Sequence, residues 1–168
     1  MLETAIRAAK AAGRVLLEGS SKPLNVLAEK RHDVKLEMDR KAEESIIAII
    51  RETFPDHDIL AEEAGSIGQG AEYQWVIDPL DGTYNYFRRI PFWSTSIGLC
   101  RNGEEVLGVV YDPIHDEMFC AEKGGGATLN DRPIEVTRCA SLSEATIAFA
   151  YGSRREFLDR MAFGVDVV

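Results

Sequence analysis

The chain has 168 residues, 45% of them hydrophobic and 28% charged, with a formal net charge of −9. That length and balance allow one domain with a sizeable core and exclude a disordered tail. An acidic chain with no basic run is not built as a general nucleic-acid or membrane-surface binder, and no apolar run reaches membrane-spanning length. The charged start MLETAIRAAK is unlike a signal peptide. Cys100, Cys120 and Cys139 lack CxxC spacing, and His32, His57 and His115 are scattered. A zinc site or disulfide framework is therefore not expected, and a reducing, cytoplasmic setting is.

Residues 2–17 carry Leu2, Ala5, Ile6, Ala9, Ala12, Leu16 and Leu17 at helical spacing, closed by Gly19-Ser20-Ser21 and Pro23. A second helix is predicted from near Asp39, with Ala42, Ile46, Ile47, Ile49, Ile50 and Phe54 inward and Pro55 beyond its end. The period then shifts toward two. DILAEE and YQWVID read as short strands, and residues 94–136 as an antiparallel meander turning at Asn102-Gly103, Asp112-Pro113 and Asn130-Asp131. ATIAFAYG reads as a further strand and RREFLDRMAFG as the start of another helix. The pattern is α+β: two N-terminal helices on a large, mostly antiparallel sheet.

The chemistry concentrates in WVIDPLDGTYNY, residues 75–86. Asp-Pro and Asp-Gly are turn formers, so Asp78 and Asp81 could simply turn a corner. Upstream, however, Glu62-Glu63 also ends an apolar strand. Two strands delivering carboxylates from their ends can gather hard oxygen ligands suited to Mg2+, which would relieve their mutual repulsion. A helix starting at Gly82-Thr83 would turn free N–H groups toward the same place, where a phosphate could sit. The plainer reading of Thr83 is an N-cap, and of Asp39 a first-turn acid; a general-base role for Asp39 needs proximity to Thr83. Lys30 and Arg31 read as surface charges. Gly124-Gly125-Gly126 is not followed by Lys-Ser/Thr, so a tight hairpin is expected there rather than a phosphate loop. Tyr86, Phe92 and Trp93 read as core, with a base-stacking platform as the lesser alternative.

WVIDPLDGTYNYFRRIPFWSTSIGL resembles the D-P-[IL]-D-G-T-x-N-F signature of the inositol monophosphatase family, the Mg2+-dependent, lithium-sensitive phosphatases related to fructose-1,6-bisphosphatases and 3′-phosphoadenosine nucleotidases. ILAEEAG resembles the family's G-E-E segment and DVKLEMD its D-x-V-T-x-x-D segment. Ala61, Tyr86 and the Lys35-Leu36 pair depart from the pattern. The resemblance implies a layered αβαβα sugar-phosphatase fold and two or three Mg2+ ions. It implies Glu62, Asp78, the Leu80 carbonyl and Asp81 as metal ligands, with Glu63 behind them. It further implies Gly82 and Thr83 as phosphate contacts, and Thr83 with Asp39 as the groups that activate water. The implied substrate is inositol monophosphate or another sugar phosphate, fructose 1,6-bisphosphate included; Tyr84-Asn85-Tyr86 favours this branch over the nucleotidases.

The family's Trp-Asp-x-Ala-Ala-Gly motif, which supplies a further ligand, does not occur, and neither Asp159 nor Asp166 sits in such a motif. The expectation is therefore a metal-binding domain over 1–144 and an incomplete C-terminal α/β layer over 145–168, that is, a truncated enzyme. A non-catalytic metal-binding fragment is the alternative. The expected partners are a small phosphate ester and a second copy of the chain, with no nucleic acid and no membrane.

Overall fold

The first helix, α1, spans Leu2–Ser20 and buries Ala5, Ala8, Ala9, Ala12 and Leu16 completely. Such small residues let it lie close to its neighbours. A β-carbon on Gly13 would come within 2.6 Å of the Tyr111 ring, and one on Gly19 within 2.8 Å of the Tyr86 hydroxyl. Gly19 thus serves close approach, and the helix runs on past it to Ser20 instead of stopping there. The computed structural model describes the backbone of 1–30 and 33–146 and the side chains of 1–27 and 36–146.

A hairpin of β1 (Val26–Lys30) and β2 (Asp33–Leu36) leads into α2 (Glu37–Thr53). That helix starts earlier than its apolar pattern suggests, because Asp39 caps it from inside: its Oδ2 accepts the Leu36 N–H at 2.9 Å. Ala42, Ile46 and Ile50 are fully buried.

The remaining strands are β3 (Asp58–Ala61), β4 (Gly65–Ile67), β5 (Tyr73–Asp81), β6 (Ser94–Arg101), β7 (Glu104–Asp112), β8 (Glu117–Glu122), β9 (Gly126–Leu129) and β10 (Arg132–Ile134). They form one sheet in the order β10-β9-β8-β7-β6-β5-β3-β4. Among the described residues, every pairing in it is antiparallel except β3 with β5. The mostly antiparallel sheet and the two helices packed on it agree with the sequence pattern: α1 lies against α2, β6 and β7, and α2 against β5. The core beneath them holds Trp75, Ile77, Ile97, Leu99 and Val109.

The meander turns where the sequence indicates. Asn102 and Gly103 take φ of 52° and 82°, and Asn130 and Asp131 48° and 64°, the paired left-handed conformations that match strand twist. Gly124 and Gly126 are also left-handed, at 77° and 84°, in the β8–β9 turn. The strand expected over ATIAFAYG lies outside the described residues from position 147 on, as do the helix after it, Asp159 and Asp166.

Candidate active site

Strand β5 does not end at Asp78, as its sequence suggests. It continues through Pro79 and Leu80 to Asp81, and the chain turns only at Gly82. Proline is tolerated inside this strand because the ladder is bulged there. Asp78 pairs with Ser96 and Asp81 with Ser94, so Pro79 and Leu80 together oppose Thr95. The extra residue has a consequence for chemistry. Residues three apart on a regular strand face opposite ways. Ser96 and Ser94 are two apart, however, so their partners Asp78 and Asp81 lie on one face. Thr95, fully buried, donates its hydroxyl to the Pro79 carbonyl at 2.9 Å and holds the bulge.

Glu62 reaches the same place by a different route. In the parallel pairing Ala61 stands beside Ile77, so the next residues, Glu62 and Asp78, are also neighbours, and their carboxyl groups hydrogen-bond. Burial pushes the Asp78 carboxyl above the usual range, and the charge of Asp81 adds to it. The bonds to Glu62 and from the Leu80 N–H act the other way, while Asp39 raises it further. Glu62 and Asp78 thus meet, and Asp81 stands near enough for its charge to act on Asp78. Among the described residues, no group of three or more His, Cys, Asp or Glu side chains is gathered closely enough to hold a metal ion.

The Leu80 N–H donates to Asp78 Oδ1 at 3.1 Å, and the Leu80 carbonyl accepts the Thr83 hydroxyl at 3.0 Å. Gly82 is left-handed, with φ of 92°, and a β-carbon there would meet the Phe92 carbonyl oxygen at 3.1 Å. Only glycine suits both constraints. The helix after it, α3, is a single short turn, Thr83–Phe87, so its dipole adds little to the free N–H groups.

Asp39 is buried at the start of α2, and its charge acts on both Asp78 and Tyr86. One helical turn on, Glu43 is buried as well, and its two carboxylate oxygens accept the N–H groups of Glu63 and Ala64 at 2.8 and 2.9 Å. Neither Glu43 nor Thr95 belongs to a motif legible in the sequence. The available signal was a polar residue at a core position of each pattern, an acid in the apolar stripe of α2 and a threonine among the inward positions of β6.

The aromatic cluster divides. Tyr86 and Trp93 are buried edge to face with centroids 5.0 Å apart, while Phe92 is 72% exposed and not core. Tyr86 donates to the Leu16 carbonyl at 2.7 Å, and burial pushes its hydroxyl up to about 12. Away from the site, His57 stacks between Phe54 and Tyr73 and accepts the Trp75 indole N–H. His115 pairs with Asp112. Among the described residues, no helix is long and apolar enough to cross a membrane.

The chain is 38% identical over 168 residues to a Nus factor SuhB of Pasteurella multocida, covering 98% of this chain and 63% of that protein. It is 40% identical over 155 residues to a fructose-1,6-bisphosphatase/inositol-1-monophosphatase of Aquifex aeolicus, covering 91% and 59%. It thus spans about three-fifths of the length of these relatives. The solved inositol monophosphatase of Anabaena (Nostoc) superposes with a TM-score of 0.73 at 45% identity, covering 84% of this chain and 51% of that one.

The description Nus factor recurs among further relatives at 37–39% identity. This corrects the expected partner set of a small ester and a second copy without nucleic acid, because relatives this similar carry a name from transcription. Net charge sums over a whole surface, whereas association is decided by local patches and by other proteins, so an acidic total does not exclude it. The inositol monophosphatase family model matches residues 1–164, and the chain belongs to that family.

Proposed function

We propose that residues 1–144 carry the active centre of a Mg2+-dependent phosphomonoesterase acting on inositol monophosphate or a related sugar phosphate, fructose 1,6-bisphosphate included. The observation that supports it best is the β5 bulge, which turns Asp78 and Asp81 to one face beside Glu62 and directly ahead of Gly82-Thr83. The donor set is hard oxygen throughout, and the Asp78 carboxyl, raised by burial and then by the charge of Asp81, carries a cost that a divalent cation would offset.

In this reading Glu62, Asp78, Asp81 and the Leu80 carbonyl hold two or three Mg2+ ions. Bound Mg2+ supplies neutralisation of phosphate charge and a lowered pKa for water. The Gly82 and Thr83 N–H groups receive the phosphate oxygens. Thr83 would orient the attacking water and Asp39 would take its proton, from a helix start that fixes its carboxylate.

The test is phosphate release from inositol 1-phosphate, fructose 1,6-bisphosphate and 3′-phosphoadenosine 5′-phosphate, with and without Mg2+, for the chain and for Asp81→Asn. Mg2+-dependent release that Asp81→Asn abolishes supports the reading, and the preferred ester names the branch. A folded chain that binds Mg2+ without releasing phosphate would favour a non-catalytic metal-binding role.

A second reading has its own support in the 38% identity with a Nus factor over 98% of this chain. Here the chain associates with transcription machinery, with or without turnover. Co-sedimentation with elongation complexes tests it, and absence from the pellet at micromolar concentration counts against it.

A further inference from the structure

Glu43 is an acid with 2% of its surface exposed, set in the stripe Asp39, Ala42, Glu43, Ile46, Ile50 that α2 turns inward. Burying a carboxylate there is costly unless both oxygens are satisfied. They are, by two charge-assisted bonds that leave the helix altogether: Oε2 takes the Glu63 N–H at 2.8 Å and Oε1 the Ala64 N–H at 2.9 Å. Both amides belong to the turn of residues 62–64 that reverses β3 into β4. The same turn carries Glu62, whose carboxyl meets Asp78.

We propose that Glu43 is a positioning residue for the metal centre. Its two-point grip on Glu63 and Ala64 fixes the backbone that aims Glu62 at the cation shared with Asp78. A turn of three residues between antiparallel strands has few conformations open to it, but each sends the Glu62 side chain a different way. Two bonds to successive amides select one of them. The helix that carries Asp39 toward Asp78 therefore also sets Glu62, through Glu43 four residues after Asp39. Two sides of the site are then held by one rigid element. The inference rests on Glu62 being a Mg2+ ligand, as proposed above.

The experiment is calorimetric Mg2+ titration of the chain, of Glu43→Gln and of Glu62→Gln well below their melting temperatures, with thermal midpoints in EDTA. Glutamine keeps one acceptor and turns an NH2 group toward the second amide, so one grip is lost. Loss of a residue that orients a ligand typically weakens metal affinity about tenfold or more, and this is the result expected for Glu43→Gln. Where activity is measurable, kcat should fall more than KM rises.

If Glu62→Gln weakens Mg2+ binding while Glu43→Gln binds as the parent does, with only a lower midpoint, the role is purely structural and the inference is overturned. If neither change alters binding, the reading of Glu62 as a ligand falls and takes this inference with it. Should Glu43→Gln fail to fold, amide exchange in the parent chain decides. Mg2+ is expected to slow exchange at Glu63 and Ala64 several-fold, since coupling between grip and ligand is reciprocal. Equal rates with and without Mg2+ would overturn it.

Discussion

The Thr83 hydroxyl donates to the Leu80 carbonyl oxygen at 3.0 Å, tying the hydroxyl proposed to orient water to the carbonyl proposed to bind metal. A carbonyl has two lone pairs, so Leu80 can hold this bond and face a cation together. The bond points the hydroxyl proton at Leu80 and leaves the lone pairs of Thr83 free to accept from water. Thr83→Ala should therefore lower kcat more than it raises KM, at a stability cost of about 0.5–1.5 kcal/mol. Thr83→Ser should restore much of the loss. A change in KM alone would remove the role assigned to the hydroxyl.

Asp78 predicts an opposition between stability and function. Burial, then the charge of Asp81, raises its carboxyl above the unfolded value. A folded pKa above the unfolded one means that stability is greatest where the group stays protonated and falls as pH rises through the folded value. At neutral pH without metal the ionised group is therefore a liability. Asp78→Asn, which keeps an acceptor for the Leu80 N–H, should melt higher than the parent in EDTA while losing phosphate release. A lower midpoint in EDTA would mean that burial and the Asp81 charge do not penalise the ionised carboxylate.

The bulge predicts a role for Thr95. Thr95→Val keeps the shape but deletes the donor to the buried Pro79 carbonyl, at a cost of about 1–3 kcal/mol for the orphaned acceptor. Because the bulge sets the common face of Asp78 and Asp81, Mg2+ affinity should fall as well. Urea unfolding and calorimetry on one sample separate the two effects, and unchanged affinity would mean that the bulge persists without its clamp.

Asp58 predicts the acid limb of stability. Its carboxylate accepts N–H groups of Ala71 at 2.9 Å, Gly70 at 2.7 Å and Gln69 at 3.1 Å. These bonds, the one from Ala71 foremost, hold it below the usual range against an opposing effect of burial. A depressed folded pKa contributes stability that is complete above the unfolded value, about 4, and lost as pH falls through the folded value. Asp58→Asn should be less stable at neutral pH and show a shallower loss of urea midpoint on acidification. Parallel curves for parent and variant would place the acid sensitivity elsewhere.

Periodicity alone determined the helix–helix–sheet order, because the apolar spacing of 2–17 and of 42–54 and the alternation that follows are local properties. Turn residues such as Asn102-Gly103 were equally legible, since their left-handed conformations are affordable only to a few side chains. That Glu62 follows directly on a short strand was legible too, from the apolar run before it.

Other features needed the neighbouring strand or helix. Asp-Pro reads as a corner, yet β5 runs on to Asp81, because β6 supplies partners on either side of a bulge. Phe92 reads as core beside Tyr86 and Trp93 but faces outward. Glu43 reads as a surface acid until the turn of 62–64 comes to rest against it. Local pattern fixes which way a residue points along its own element, whereas register and long-range hydrogen bonds decide what it meets. Only the tertiary structure therefore set Asp78 beside Glu62 and Glu43 beneath the turn that carries it.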